Sequence, residues 1–465
     1  MDVIADALCF VSARDLAQQI RSRQVSCREV MSAFLAQIAR LNPQLNAIVA
    51  KLDDDQCLAL ADTADHALGN GGPIGPLHGL PIAFKDLEPA VGFPQSKGSP
   101  IFKNFMPDAD SVLVERIRRA GAIPIGKTNV PEFGMGSQTY NNVYGATRNP
   151  YDPTKTAGGS SGGAAVAVAT GMLPIADGGD LGGSLRNPAN FNNIVALRPS
   201  RELVPIEPIQ FHHWGLSTKG MLARTVDDLA YGLGCVANQF TSQLLAGVVS
   251  GIARGARVAW CPDLGGLPLD SRVRRIIEGH RITFENLGCV VEDACPDFGN
   301  VDEVFMTLRQ WASWNTYKEL LERHRDQLKP EAIWEIEAGS RLNSGIVEKA
   351  FFAYQELQIR FQSFQTRYPF LVCAVNQVPP FDHSEHWPTT IEGVRMENYI
   401  SWMKSTYWIS ATLSPAMSVP AGFTDDGLPV GIQIVGRSGQ DLNVLSIGQA
   451  FEQATGYGKR RPPGV

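Results

Sequence analysis

The chain has 465 residues, of which 44% are hydrophobic and 19% charged, as in an ordinary globular protein with a substantial core. Its formal net charge of −6 argues against a nucleic-acid backbone as the primary partner, because phosphate binding requires a basic face. No apolar run approaches the roughly 20 residues of a membrane-spanning helix, and eight scattered cysteines without a CxxC pair indicate neither a zinc site nor a disulfide framework.

The amino-terminal region does not have the pattern of a secretory signal. Asp2 and Asp6 stand where such a signal would carry basic residues ahead of an apolar run. Together with the cysteine pattern, this predicts a cytoplasmic protein with reduced thiols. Residues 12–41 then place apolar side chains at helical spacing among polar ones, which predicts a helical segment.

A lysine ends an apolar run in GPLHGLPIAFKD, residues 75–86. The letters PIAF predict an interior strand, so Lys85 is expected to be buried. Burial lowers the pKa of a lysine from its ordinary ~10.4, because desolvation disfavours the ammonium form. A neutral Lys85 could act as a base. The alternative is that Lys85 extends from the strand end and pairs with Asp86.

The glycine-rich segment 158–189 reads GGSSGGAAVAVATGMLPIADGGDLGGSLRNPA, with Ser160 and Ser184 separated by 24 positions. A serine hydroxyl is a weak nucleophile that needs a positioned base. Glycines allow unusual backbone angles and close approach to a ligand. Two such serines and Lys85 therefore supply what serine acylation without histidine requires.

Ser184 is the serine that we predict to be the nucleophile. It follows a turn, residues 180–183, whose consecutive N–H groups could converge on one oxygen atom. The alternative is a glycine-rich turn whose serine only caps the next helix. Asp180 and Arg186 flank Ser184 with opposite charges, and we interpret both as supports of this loop rather than as acid–base groups. A free carboxylate beside Lys85 would raise the pKa that a base needs to keep low.

Three other patterns are rejected as ligand sites. GAIPIGKT, residues 121–128, matches the P-loop pattern, but that motif needs a strand before it and a helix directly after it. Here a helical pattern precedes it, AIPI inside it predicts the strand, and Pro131 interrupts a following helix. FHHWG (211–215) and DHSEHW (382–387) contain histidine pairs outside any HExxH arrangement. We therefore predict no metal and no cofactor.

Short apolar segments alternate with helical ones between residues 82 and 435, among them PIAF, AIPIG, FLVCAV and VGIQIV. This alternation predicts an α/β fold with helices on both faces of a sheet. Residues 300–366 differ, because they carry long charged and aromatic helical patterns. We predict a helical excursion there that could form a wall over the active site. No long linker interrupts the chain, so residues 1–465 are expected to form one domain.

Segment 158–188 resembles the signature of the amidase signature family, and segment 75–86 resembles that family's lysine motif. The resemblance continues through FGMGSQTYNNVYGATRNPYDP (133–153) and AMSVPAGFTDDGLPVGIQIVGR (416–437), so it covers most of the chain from about residue 12. It implies a mixed central β-sheet sandwiched between α-helices, with the signature core at about 75–235.

The resemblance also assigns roles to residues. It implies a catalytic triad of Lys85, Ser160 and Ser184, with Ser160 following a cis peptide bond and bridging the other two. The family's 24-residue spacing selects Ser160 over Ser161. The resemblance implies an oxyanion hole made by the N–H groups of Leu181, Gly182, Gly183 and Ser184. It implies a loop lining the acyl pocket, for which structural and substrate-facing roles stay open, at Gln138, Tyr140 and Asn141.

Within the family, the chain is most similar to aryl acylamidase and carbamate-cleaving members. The segments that carry this are SQTYNNVYGATRNP, SLRNPANFNN and PFLVCAVNQVPPFD (369–382). Many members read FCG and GLKPT where this chain reads FNN (191–193) and ALRPS (196–200). The subgroup often has bulkier residues in place of Leu181, Gly182 and Gly183, which leaves the shape of the acyl pocket open.

The predicted function is hydrolysis of an amide bond through an acyl-enzyme, with a small-molecule amide as substrate and no nucleic-acid or membrane partner. A homodimer is compatible with the sequence. The main alternative is the A subunit of a tRNA-dependent amidotransferase, although residues 334–355 lack the arginine-pair segment associated with such proteins. A non-catalytic binding protein is a third alternative, disfavoured because all three triad residues are present.

Overall fold

The computed structural model describes residues 8–72, 74–207, 215–248, 251 and 253–465, and most of its strands form two sheets. Within the described residues, an eight-stranded mixed sheet has the order β10-β9-β11-β15-β14-β7-β8-β6, and a three-stranded sheet has the order β1-β3-β2. Two short hairpins, β4-β5 and β12-β13, lie outside them. The strands are β1 (Ile48–Val49), β2 (Pro81–Lys85), β3 (Ile123–Thr128), β4 (Tyr140–Asn141), β5 (Gly145–Ala146), β6 (Ile175–Asp180), β7 (Val195–Arg198), β8 (Thr218–Ala223), β9 (Arg257–Trp260), β10 (Val290–Asp293), β11 (Phe370–Ala374), β12 (Thr390–Ile391), β13 (Val394–Arg395), β14 (Ala416–Phe423) and β15 (Pro429–Val435).

Both faces of the large sheet are covered. Strand β11 shows this by alternation, since Val372 belongs to one apolar cluster and its neighbours Leu371 and Cys373 belong to another. Successive side chains of a strand point to opposite faces, so a strand buried on both sides reads as a continuous apolar run. This is why FLVCAV and VGIQIV are recognisable in the sequence, and the predicted fold class is confirmed.

The helices that cover these faces include long ones at residues 301–367. The helices are α1 (Ala13–Arg21), α2 (Cys27–Leu45), α3 (Asp54–Gly69), α4 (Val112–Arg119), α5 (Gly162–Ala169), α6 (Arg186–Phe191), α7 (Val226–Val236), α8 (Thr241–Ala246), α9 (Ser271–Glu278), α10 (Arg281–Asn286), α11 (Val301–His324), α12 (Pro330–Ser340), α13 (Ser344–Arg367), α14 (Lys404–Ala411) and α15 (Asp441–Thr455). Helices α11, α12 and α13 are the predicted excursion. Of the described helices, none combines the length and apolar character needed to cross a bilayer.

The single helical segment predicted at 12–41 is instead two helices, α1 and α2. Arg23 adopts a left-handed backbone conformation with φ of 59°, which no continuous α-helix accommodates. Ser26 then starts α2 with a capping box, in which its hydroxyl accepts from the Glu29 amide while the Glu29 carboxylate accepts from the Ser26 amide. The apolar spacing continues across the break, so periodicity alone could not locate it.

The strands predicted from PIAF and AIPIG form the small sheet rather than extending the large one. Its edge strand β2 lies beside β6, the edge strand of the large sheet. The Lys85 N–H donates to Asp177 Oδ1 at 3.1 Å, so a side chain rather than a β-ladder connects the two edges. Helix α4 precedes β3, and no helix begins directly after Thr128. This described segment therefore lacks the P-loop arrangement, which needs a strand before the motif and a helix directly after it.

Helix α5 packs on β2 and β3 of the small sheet and on β6 and β8 of the large one. All eight of its residues, GGAAVAVA, are buried. A Cβ on Gly163 would lie 2.3 Å from the backbone nitrogen of Asn129, so only glycine permits this approach. The small residues after Ser160 therefore bring the loop that contains Ser160 against β2 and β6.

Candidate active site

Lys85 ends β2 with its side chain inside the protein, only 2% exposed. Its Nζ lies 2.9 Å from Ser160 Oγ, 2.8 Å from Ser161 Oγ and 3.4 Å from the Gly179 carbonyl oxygen. Burial lowers the pKa of Lys85 to about 7. Three contacts suit a neutral amine, which donates two hydrogen bonds and accepts one.

The alternative pairing of Lys85 with Asp86 is wrong. The Asp86 carboxylate accepts from Ser96 and lies 4.0 Å from Lys127 Nζ. Successive residues at a strand end point in opposite directions, so Asp86 faces away from the lysine amine.

Ser160 and Ser161 occupy a loop held by neighbouring polar groups. The Gly159–Ser160 peptide bond is cis, as the resemblance implied. The hydroxyl of Thr139 accepts from the Gly162 N–H at 3.2 Å, and the Ser161 N–H donates to the Ser184 carbonyl at 3.2 Å. Ser161 therefore contacts Lys85 through its side chain and Ser184 through its backbone. Family spacing selected Ser160 alone, and only the contact to Lys85 reveals the second serine.

Ser184 lies in the turn between β6 and α6 and is 8% exposed. Within the described part of the chain, its hydroxyl has no hydrogen bond, including none to Ser160. Catalytic hydrogen bonds are often long or absent without substrate and tighten in the Michaelis complex.

The turn that precedes Ser184 has a mixed set of backbone donors. The Gly183 N–H donates to Asp180 Oδ1 at 2.8 Å, so this amide is already engaged. Among the described residues, the N–H groups of Leu181, Gly182 and Ser184 meet no acceptor. Three of the four amides predicted for an oxyanion hole are thus free in this structure, and the fourth fixes the turn.

The small residues of this turn are required by what surrounds them. Gly183 has φ of +123°, and a Cβ there would lie 2.4 Å from Thr406 Oγ1. A Cβ on Gly182 would lie 3.0 Å from Phe305, which belongs to α11 and stacks on Tyr407 with ring centroids 4.3 Å apart. The helical excursion therefore forms a wall beside the turn, and aromatic rings occupy the space next to Gly182.

A buried ion pair anchors the turn from below. Arg186 Nε and Nη2 donate to the two carboxylate oxygens of Asp180 at 3.0 and 2.9 Å, and Arg198 Nη1 lies 3.4 Å from Asp180 Oδ1. Burial would raise the pKa of Asp180, but the two guanidinium charges outweigh it and hold this pKa well below its usual range. The geometry agrees with the predicted supporting role of Asp180 and Arg186.

Similarity to known proteins covers nearly the whole chain. A sequence profile of the family described as Amidase matches residues 29–445. The chain belongs to the amidase signature family. The family and the acylamidase relatives described next together identify a hydrolase of carbon–nitrogen bonds other than peptide bonds.

Individual relatives of this amidase come from two functional groups. An acylamidase of Rhodococcus erythropolis is 32% identical over 469 residues, covering 98% of each chain. The A-type subunit of the glutamyl-tRNA(Gln) amidotransferase of Cyanothece sp. is 30% identical over 489 residues, covering 97% of this chain and all of that protein. Among solved structures, a bacterial aryl acylamidase superposes with a TM-score of 0.88 at 26% identity, covering 98% of this amidase and 99% of that chain.

The residues predicted to line the acyl pocket are Gln138, Tyr140 and Asn141, and they differ in their hydrogen bonds. The Asn141 side chain donates to Asn129 Oδ1 and the Val130 carbonyl, and its oxygen accepts from two backbone amides. Asn141 is therefore held by the fold. Gln138, Tyr140 and Asn141 all line a cleft of about 230 Å³, whose lining also includes His383, Ser384 and His386. Tyr140 donates to Glu331 and lies 3.0 Å from His386 Nδ1.

Of the histidines in the two rejected patterns, those of DHSEHW lie within the described residues and those of FHHWG do not. Residues 211–214 of FHHWG lie outside the described residues. His386 of DHSEHW lies 2.7 Å from Glu331 Oε1 at the rim of the cleft just described. In the described parts of the amidase, no three His, Cys, Asp or Glu side chains are grouped so that they could hold a metal ion.

The buried pair of Arg186 and Asp180 generates a stability prediction. Arg186→Gln should lower the free energy of unfolding by about 3–5 kcal/mol, because it removes the main partner of a buried carboxylate. Urea unfolding monitored by circular dichroism measures this.

Arg275→Gln is the matched control, since Arg275 pairs with Asp425 on the surface and both side chains are mostly exposed. Exposed pairs contribute little, so this variant should unfold at nearly the wild-type urea concentration. Equal midpoints for Arg186→Gln and the wild type would contradict the anchoring role.

Proposed function

We propose that this amidase hydrolyses acylated amines through an acyl-enzyme formed on Ser184, with Lys85 as the base and Ser160 as the proton relay. The observation that carries the proposal is the contact of 2.9 Å between a buried Lys85 amine and Ser160 Oγ. A buried amine with a pKa of about 7 exists largely as the free base at slightly alkaline pH.

Acylation transfers one proton along the relay. Ser184 Oγ attacks the amide carbon, its proton passes to Ser160 Oγ, and the Ser160 proton passes to Lys85 Nζ. The negative charge that develops on the carbonyl oxygen is held by the free N–H groups of Leu181, Gly182 and Ser184. One such donor contributes about 10²–10³ in kcat in comparable sites.

The leaving amine needs a proton, which returns from Lys85 through Ser160. Water then attacks the acyl-enzyme, with the same relay accepting its proton, and the carboxylic acid leaves. Ser161 holds Lys85 Nζ at 2.8 Å on the other side, so that the amine keeps its position when its contact to Ser160 changes. General acid–base catalysis of this kind contributes about 10²–10⁴ to a rate.

An apolar group on the substrate is favoured by what lies next to Ser160. A Cβ built on Gly134 would lie 3.5 Å from Ser160 Oγ, so the segment 133–135 borders the relay. Phe133 in this segment stacks on Tyr317 of α11 at 4.6 Å and meets Phe102 edge to face at 6.2 Å. This aromatic cluster and the similarity to an acylamidase and an aryl acylamidase support an aryl or acyl amide as substrate.

The A-type subunit of a tRNA-dependent amidotransferase is the second candidate, favoured by 30% identity over almost the full length. It would use the same triad to release ammonia from glutamine inside a complex with partner chains. A stand-alone amidase needs no partner chain. Its expected assembly is at most a homo-oligomer such as a homodimer.

Ser184→Ala should lower kcat by about 10⁴–10⁶-fold, as when the serine is removed from other catalytic triads. No other hydroxyl in the proposed mechanism can carry the acyl group. Mass spectrometry after treatment with a fluorophosphonate should place the adduct on Ser184. Ser32→Ala, at an exposed position of α2, is the control that should keep both activity and labelling. An adduct on Ser160 or on a cysteine would refute the assignment.

The proposed base predicts a pH dependence. Because only unprotonated Lys85 accepts a proton, kcat/KM should rise with pH through about 7 and then level off. Lys85→Ala should lose most amide hydrolysis at neutral pH but less nitrophenyl-ester hydrolysis, since a nitrophenolate leaves without a proton. Both substrates are measured for both proteins across the pH range. Unchanged amide turnover would remove Lys85 from the mechanism, and equal losses would argue against proton delivery to the leaving group.

A substrate panel separates the two candidate functions. The purified chain alone should hydrolyse anilides faster than aliphatic amides of the same acyl group, with carbamates and esters completing the panel. The stand-alone activity follows from the closed relay within one chain, and the anilide preference follows from the aromatic cluster beside Ser160. Activity on glutamine that requires added partner chains would favour the amidotransferase instead.

A further inference from the structure

A second layer of charged groups surrounds Lys85 behind the serines. It contains four carboxylates and four cations contributed by the segment after β2 and by β3, β6, α6, β7 and β8. Seven of the eight are almost fully buried, and the Lys219 side chain is 18% exposed. The members are Asp86, Glu88, Asp177, Asp180, Lys127, Lys219, Arg186 and Arg198. Two further carboxylates act on this layer from outside it, Glu207 on Lys219 and Asp110 on Lys127.

The ion pair of Lys219 and Glu88 is linked to Lys85 through the backbone of Glu88. Glu88 follows Lys85 by three residues, and its N–H donates to the Lys85 carbonyl at 2.8 Å. Its carboxylate pairs with Lys219 Nζ. Lys127 Nζ donates to the Glu88 carbonyl and lies 4.0 Å from Asp86, so its ion pair is with Asp86, while its charge also acts on Glu88.

The sheet brings Lys219 to the same place from the other side. Lys219 on β8 is the register partner of Gly179 on β6, and the Gly179 carbonyl is one of the three contacts of Lys85 Nζ. The Lys219 side chain passes over Gly179, with its Cδ 3.6 Å from where a Cβ would stand. Lys219 and Lys85 therefore both approach Gly179, and the carboxylate of Glu88 pairs with Lys219.

Electrostatics gives this arrangement a consequence. The charge of Lys219 disfavours the ammonium form of Lys85, as burial also does. The carboxylates of Glu88, Asp177 and Asp180 favour that ammonium form. Asp180 is satisfied by two arginines, and the Asp177 carboxylate, whose pKa burial raises to about 6, accepts from the Lys85 N–H. Lys219 is the main partner of the Glu88 carboxylate, with smaller contributions from the Ser111 hydroxyl and the charge of Lys127.

We propose that Lys219 is a positioning residue of the amidase reaction, which neutralises Glu88 and so keeps Lys85 available as a base. The inference rests on the proposed function, in which Lys85 accepts the proton. A purely structural role, in which the pair only fastens the segment after β2 to β8, would change stability but not the pH at which the base titrates.

The test is the pH profile of kcat/KM for amide hydrolysis. Lys219→Met should move the acid limb upward by about one pH unit, because an unpaired Glu88 favours protonated Lys85, and this lowers activity about tenfold on the limb. At high pH the loss should shrink. Lys219→Arg should keep the wild-type limb, and Lys103→Met, at an exposed site, controls for loss of a lysine charge.

The double variant Lys219→Met/Glu88→Gln decides between charge and structure. It removes both charges, so its limb should return to the wild-type position. A limb that Lys219→Met leaves unmoved, a loss equal at every pH, or a displaced limb in the double variant would overturn the proposal. If Lys219→Met does not fold by circular dichroism, the double variant and Lys219→Arg still test it. Unchanged activity of Lys85→Ala would instead refute the proposed function and leave the charge layer unexplained.

Discussion

The site depends on the burial of the Lys85 amine, which among the described residues has no charged group in direct contact with it. Lys85 is held by two hydroxyls and one carbonyl, none of which is charged. Desolvation of an ammonium is costly, so the pKa falls and the free base becomes accessible near neutral pH. Each neighbouring carboxylate must then be satisfied by some other group, and the structure provides four other cations nearby.

The same constraint explains the architecture around the lysine. The two sheets meet edge to edge at β2 and β6, and at this junction a side chain, Asp177, accepts the Lys85 amide in place of a regular ladder. Helix α5 can lie across the junction because its residues are small, and this brings the loop of Ser160 to the amine.

In the turn that precedes Ser184, the groups that fix the backbone are different from the amides that have no acceptor among the described residues. Asp180 takes the Gly183 amide and is itself fixed by Arg186 and Arg198, while other amides of the turn stay free. Preorganised donors stabilise developing charge because they need no reorientation during the reaction. The wall beside this turn comes from the helical excursion, whose Phe305 lies next to Gly182.

The amino-acid sequence alone predicted the residues proposed for the site and the character of the elements that carry them. Lys85, Ser160 and Ser184 stand in long motifs, and strands buried on both faces and the helices of 301–367 have periodicities that report burial directly. The break at Arg23, the Lys85 contact of Ser161, the engaged Gly183 amide and the pair of Lys219 with Glu88 emerge only in the folded chain. Glu88 and Lys219 are 131 positions apart, and each looks like an ordinary charged residue in its own segment. Local patterns record whether a side chain is buried, whereas its partner depends on which distant strand the sheet places beside it.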